Sequence, residues 1–178
     1  MIWLASALAV VLLATAFGSW LSWTATRLDN LHHRVELARE SVRRRLLERS
    51  GWTLEIAAAG VLDDAEAVVL ADAAARARAV DDGFEAAESD LSSALRAVFD
   101  DAGGTGRLRE MDADLLDKLE ASSHRVELAR RFHNDLVASA RHLRGRLRVR
   151  WFHLTGHAGP LDTIDFDDVA PDTFGPGR

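Results

Sequence analysis

The sequence predicts an all-α protein, with an N-terminal transmembrane helix followed by an antiparallel up-and-down bundle of three long helices, or four. Three observations carry this. Apolar residues recur at steps of three and four over long stretches, no stretch of any length alternates as a strand would, and proline is confined to Pro160 and beyond. The first 26 residues carry no charged side chain. The remainder is long enough to bury one core without covalent staples. There is no cysteine, which excludes a disulfide scaffold, a thiolate metal site and a cysteine nucleophile.

Residues 1–26 are the expected anchor. Ile2–Trp23, IWLASALAVVLLATAFGSWLSW, is free of charge, and at ~1.5 Å per residue such a helix spans the ~30 Å hydrocarbon core of a bilayer. Trp3 stands at one end and Trp20 and Trp23 at the other, where interfacial tryptophans sit. A cleaved signal peptide needs a basic residue ahead of the apolar run, and none precedes it. Arg27, Arg34, Arg39, Arg43, Arg44, Arg45 and Arg49 follow the run. The positive-inside rule therefore places the N-terminus outside and the rest of a single-pass cell-membrane protein in the cytoplasm.

Residues 27–150 read as the bundle. From Arg27 to about Ala59, Leu28, Leu31, Val35, Ala38, Val42 and Leu46 form one apolar stripe. Gly60 suits a C-cap, and Asp63 and Asp64 suit the start of the next helix. That alanine-rich helix runs to about Asp81. Phe84–Asp101 follows, with Leu91, Leu95, Val98 and Phe99 as core candidates. AGGTG, residues 102–106, is expected to be a loop. The last helix starts near Arg107 and passes Leu143, burying Leu108, Met111, Leu115, Leu119, Val126, Ala129, Phe132, Leu136, Ala140 and Leu143, with Ser122 in one gap. A seam of such length is coiled-coil-like and needs other long helices beside it. The helix count turns on Asp82-Gly83. A kink there leaves three helices of matched length, a reversal leaves four unequal ones, and length matching favours three. Residues 151–178 hold all three prolines, five aspartates and no helical period, and read as an extended or disordered acidic tail.

The net charge of −6 is blocked along the chain. Arg27–Ser50 has seven arginines against four acids, Val61–Glu120 sixteen acids against six bases, and Ala121–His153 eight arginines against two acids. Alternating blocks on successive helices suit pairing within a bundle. They do not make the uncompensated basic face of a nucleic-acid binder.

One heptapeptide, HRVELAR, occurs twice, at His33–Arg39 and His124–Arg130. The first copy follows the anchor. The second is extended to HRVELARRFHND. An anchor, then Arg34, Val35 and Ala38, then Arg125, Val126, Ala129, Arg130, Phe132, Asn134 and Asp135 in the final helix, resembles the LemA family of bacterial membrane-anchored helical proteins. His133 stands where that family's motif carries an aromatic residue. The apolar Ile-Pro-Asn-Leu type stretch and the C-terminal Pro-Ser-Asn and Phe-Gly-Phe elements are absent, so the resemblance is to a divergent branch and covers Arg27 to about Leu143. It implies an all-α bundle of a family without an established enzymatic activity, expected to work with other membrane proteins.

Candidate chemistry is sparse. Asn134 and Asp135 are poor mid-helix formers and mark either a partner site with Arg130, or structure, with Asp135 paired to Arg131 and Asn134 bonded across the bundle. Glu36 with Arg39, and Glu127 with Arg130, are spaced as surface pairs. A metal-dependent hydrolase is the enzymatic alternative, using His153, His157, Asp162, Asp165, Asp167 and Asp168. Gly156, Gly159 and Pro160 deny those histidines a rigid helix, and no glutamate base stands between them. Arg144, Arg146, Arg148, Arg150 and Trp151 form a basic patch suited to anionic lipid.

The sequence thus leads to a membrane-anchored interaction or scaffold protein with no catalytic residue, metal or cofactor. Its expected partners are other membrane proteins and the bilayer, not nucleic acid, and a homo-oligomer is compatible with the long seam. An anionic-lipid-binding module is the other alternative.

Overall fold

The computed structural model describes residues 2–100, 102–144 and 161–175. Within the helices, the side chains of residues 2, 4, 5, 7–10, 21, 23–30, 32, 102, 143 and 144 fall outside the described set. Among the described residues the elements are all helical: α1 Ile2–Ala58, α2 Asp64–Ala79, α3 Glu85–Phe99, α4 Ala102–Met111 and α5 Ala113–Arg144. Among those residues no helix is long and apolar enough to cross a membrane. The anchor expectation falls on the first part of α1, where many side chains are outside the described set.

The chain divides into two units, residues 1–37 with 135–162 and residues 38–134 with 163–178. The second is a bundle whose direction can be read from its pairs. Val42 and Leu46 of α1 pack with Phe84 and Val126, and Arg49 reaches Glu88. Arg78 near the end of α2 donates to the Leu47 carbonyl, and Arg125 of α5 pairs with Glu48. Trp52 lies under Lys118. Thus α3 runs with α1, whereas α2 and α5 run against it.

The chain therefore reverses at Asp82-Gly83 rather than kinking, and the expectation of three matched helices is corrected to four packed elements plus the short α4. Gly83 has φ +71°, a left-handed conformation that glycine adopts without the Cβ penalty and that ends helical propagation. Gly60, at φ +70°, turns the chain after α1 as the sequence predicts. At the start of α2 the Glu66 carboxylate accepts the Asp63 N–H at 3.0 Å, one half of a capping box.

A second correction concerns AGGTG, which lies inside α4 rather than in a loop. A Cβ at Gly104 would run into the Val98 carbonyl oxygen, and Thr105 donates its hydroxyl to the Phe99 carbonyl at 2.9 Å. The glycine serves close approach of α4 to α3, not chain reversal. The single long final helix is also divided, at Asp112, whose carboxylate accepts the Leu115 N–H at 3.0 Å and so caps α5.

The main core joins Ile56, Leu70, Ala73, Leu91, Leu95 and Phe99 with Leu108, Leu115, Leu116 and Leu119. All four core candidates of α3 are buried. In α5 the predicted seam holds at Leu115, Leu119, Ser122, Val126 and Ala140 but fails at Phe132, 61% exposed, and at Met111 on α4, 67% exposed. The seam instead passes through Ser123, His133 and Val137, all buried. Leu119, Val126, His133 and Ala140 follow one another at seven-residue intervals, which keeps one face inward at about 3.5 residues per turn, whereas the path through Ala129 and Phe132 takes two successive threes and rotates off the seam. In the first unit, Val35 packs with Val137, Ala140 and Leu161.

Candidate functional site

The second HRVELAR copy and its extension form one wall of a groove in the second unit, filled by the chain's own tail. Residues 163–170 have neither helix nor strand, but they are seated. Ile164 and Phe166 are buried against Val42, Leu46, Phe84 and Val126. Their spacing of two puts both on one face of an extended backbone, and Asp168 follows in the same register. The tail was expected to be extended or disordered; over this span it is extended and packed.

Asn134, Arg130 and Arg96 are among the side chains that hold it. Asn134 of α5 donates its amide N–H to the Ile164 carbonyl at 2.9 Å, and its carbonyl oxygen accepts the Ile164 N–H at 3.0 Å. The amide thereby replaces the neighbouring strand that an extended residue otherwise needs. Arg130 grips Asp168 with two parallel bonds, Nε to Oδ2 at 2.7 Å and Nη2 to Oδ1 at 2.9 Å, while its guanidinium lies 5.7 Å from the Phe166 ring centroid. From α3, Arg96 donates to both Asp167 oxygens, at 3.1 and 2.5 Å, and to the Val169 carbonyl at 2.8 Å. The Arg96 hydrogen bonds hold the Asp167 carboxyl below the usual aspartate range, against an opposing push from partial burial.

The other signature residues separate into distinct roles. Arg125 pairs with Glu48 at 2.7 Å, and Val126 is a core residue. Ala129 and Val35 contribute to packing. Ala38 is buried and Arg34 exposed. Phe132 and Asp135 are exposed and take no part in the groove. The expected Arg131–Asp135 and Glu127–Arg130 pairs are replaced, since Arg131 bonds Glu127 at 2.5 Å and Arg130 turns to the tail. A half-buried bidentate carboxylate is a stronger partner for a guanidinium than a more solvated one on the same helix. The two HRVELAR copies thus do different work: Val35 and Val126 belong to separate clusters.

The carboxylates of the hydrolase alternative are dispersed. Asp167 and Asp168 are held by Arg96 and Arg130, whereas Asp162 and Asp165 are exposed. His153 and His157 lie outside the described residues, as do the side chain of Arg144 and residues Arg146, Arg148, Arg150 and Trp151. Among the described residues no group of three or more His, Cys, Asp or Glu could hold a metal ion.

Sequence reading missed the most buried polar arrangement in the unit. Arg49 and Glu88, each 2% exposed, meet at 2.7 Å, and Arg49 also donates to Ser92 Oγ at 3.1 Å. Burial pushes the Glu88 carboxyl above the ordinary range, and the Arg49 charge and hydrogen bond pull it back in part. The signal was present: Arg49 falls in step with Val42, Leu46, Thr53 and Ile56, and Glu88 with Phe84, Leu91 and Leu95, so each interrupts an apolar stripe. Comparison of the chain with protein-family models, with curated proteins and with solved structures finds no match.

Proposed function

We propose that this protein is a single-pass, membrane-anchored helical interaction module, with its N-terminus outside and its bundle in the cytoplasm. The observation that carries the proposal is the charge-free stretch Ile2–Trp23, which is helical and leaves Trp3, Val11, Leu12, Leu13 and Phe17 exposed. A surface of that kind is stable only when something apolar covers it. A bilayer also requires polar groups on the helix to be satisfied internally. Ser6 donates its hydroxyl to the Trp3 carbonyl at 2.9 Å, and Thr15 donates to the carbonyls of Val11 and Leu12 at 3.0 and 2.9 Å. The resemblance to LemA proteins points the same way, toward a scaffold that acts with other membrane proteins and has no chemistry of its own.

Orientation rests on the arginines that follow the stretch. In the first unit the end of α5 packs by Ala140 beside Val35 of α1. An anionic-lipid role for the basic patch from Arg144 to Trp151 rests on its sequence alone, at about 1 kcal/mol per basic residue near an anionic surface. Because the chain has no cysteine, a single Ala86→Cys substitution tests the reading directly. The protein should sediment with membranes and resist carbonate extraction. The introduced thiol should react with an impermeant maleimide only after the cells are opened. Labelling in intact cells would reverse the orientation, and recovery in the soluble fraction would remove the anchor.

A further inference from the structure

We infer that the groove holding residues 163–168 is a peptide-docking site, and that a partner segment of the pattern apolar–x–aromatic–Asp–Asp replaces the chain's own tail there. The inference deepens the interaction-module reading and rests on it for the existence of a partner, but not for the groove itself.

The tail is bound as a ligand is bound. Among the described residues, its backbone-to-backbone hydrogen bonding is confined to the turn in which Phe174 N–H meets the Pro171 carbonyl. From 163 onward, every hydrogen bond to the helices has a side chain on one side at least: Asn134 to Ile164, Ser89 to the Asp167 N–H, Arg96 to Val169, Asp100 to the Asp172 N–H, and Thr173 Oγ1 to the Phe99 carbonyl. Such contacts form with any extended peptide that brings the right groups to the same places. This is recognition of an extended segment by fixed side chains, with main-chain bonds for affinity and pockets for selectivity.

The groove defines its occupant. Asn134 reads backbone only and sets the register. The pocket of Val42, Leu46, Phe84 and Val126 takes an apolar residue and, two positions on, an aromatic ring that Arg130 covers. Arg96 and Arg130 then require two consecutive carboxylates, one on each side of the extended chain. Asp165, the remaining side chain, is exposed, which leaves that position unspecified. The chain's own sequence, Ile164-Asp165-Phe166-Asp167-Asp168, satisfies every requirement.

Vacancy is costly, since it uncovers apolar surface and leaves two arginines with lost partners, so the tail leaves only as another segment enters. The covalent link gives the tail an effective concentration on the order of millimolar. A partner therefore displaces it only when it is itself concentrated, as it would be on the same membrane.

The test uses the full chain in detergent and a fluorescein-labelled peptide of residues 163–175. Wild-type protein should bind the peptide at least tenfold more weakly than the Ile164→Ser/Phe166→Ser chain, whose own tail is released while the groove is unaltered. Adding Arg130→Glu to the released chain should reduce binding at least tenfold, and a peptide carrying Asp168→Arg should recover it. Because the apolar substitutions also remove core contacts, an Asp167→Asn/Asp168→Asn chain provides a milder release, with a severalfold gain expected. Overturning results are equal binding by wild-type and Asp167→Asn/Asp168→Asn chains of matched helical circular dichroism, or a peptide with Ile164→Ser and Phe166→Ser that binds as well as the native one. Membrane retention without peptide binding would sink the groove alone. Peptide binding by a protein found in the soluble fraction would sink the anchor alone.

Discussion

Arg49 of α1 and Glu88 of α3 form a buried ion pair at 2.7 Å, and the guanidinium Nε has no hydrogen-bond partner among the described residues. The pair fixes which face of α3 meets α1, because any rotation of either helix would strand a charge in the core. Removing one partner should cost far more than removing both. Arg49→Ala is expected to destabilise by about 3–5 kcal/mol, whereas Arg49→Met with Glu88→Leu should be near neutral or stabilising. Urea unfolding followed by circular dichroism separates the cases, and additive losses in the double variant would contradict the account.

The same pair and the tail respond to pH with opposite sign. Asp167 is held below its ordinary value by Arg96, so its contribution is complete above the unfolded value of about 3.9 and fades as pH falls below it. Hydrogen exchange across residues 163–175 should therefore accelerate on acidification, and much less so in Asp167→Asn. Glu88 is shifted upward by burial, so the folded state holds its proton more tightly. Its contribution is greatest in acid and declines as pH rises from about 4.3 through the raised folded value. Glu88→Gln should flatten that decline; an unchanged slope would count against the assignment.

Glycines 104 and 106, both in α4, should answer oppositely to alanine. At Gly104 a Cβ meets the Val98 carbonyl, and overpacking of this kind costs about 1–3 kcal/mol. At Gly106 nothing lies within reach, and alanine should stabilise by up to about 1 kcal/mol through helix propensity. Thermal melts of the two single variants decide the matter, and equal shifts would mean that the segment behaves as a loop.

The path of the α5 seam makes a fourth prediction. Val126 is fully buried and Phe132 is 61% exposed. Val126→Ala should cost about 1.5–3 kcal/mol, whereas Phe132→Ala, away from the core, should stay within about 0.5 kcal/mol. A large loss at Phe132 in the purified, monomeric protein would restore the seam that sequence spacing suggests.

Much of this architecture was legible without coordinates, and the groove was not. Asn134 and Asp135 were visible as odd residues on the last helix, with Arg130 as a charged neighbour, but nothing near them in sequence names Ile164 and Asp168 as partners of Asn134 and Arg130. The Arg49–Glu88 pair was legible in principle, since a charge in step with an apolar stripe must find a counter-charge or remain in solvent.

What the sequence by itself determined is the all-helical class and most of the inward-facing positions, not the number of helices. Those depend on period, caps and breakers acting within a few residues, as at Val35, Ala38, Val42 and Leu46, at Gly60 and at Asp63. The tertiary structure alone decided that the chain reverses at Gly83, that AGGTG is helical, that His133 rather than Phe132 turns inward, and that the tail is held. Three of these rest on contacts between elements: Gly104 with Val98 of the preceding helix, the seam with α1, and Asp167 and Asp168 with two arginines on different helices. Local propensity is nearly balanced at such places, so a single long-range packing or ion-pair contact is enough to tip it.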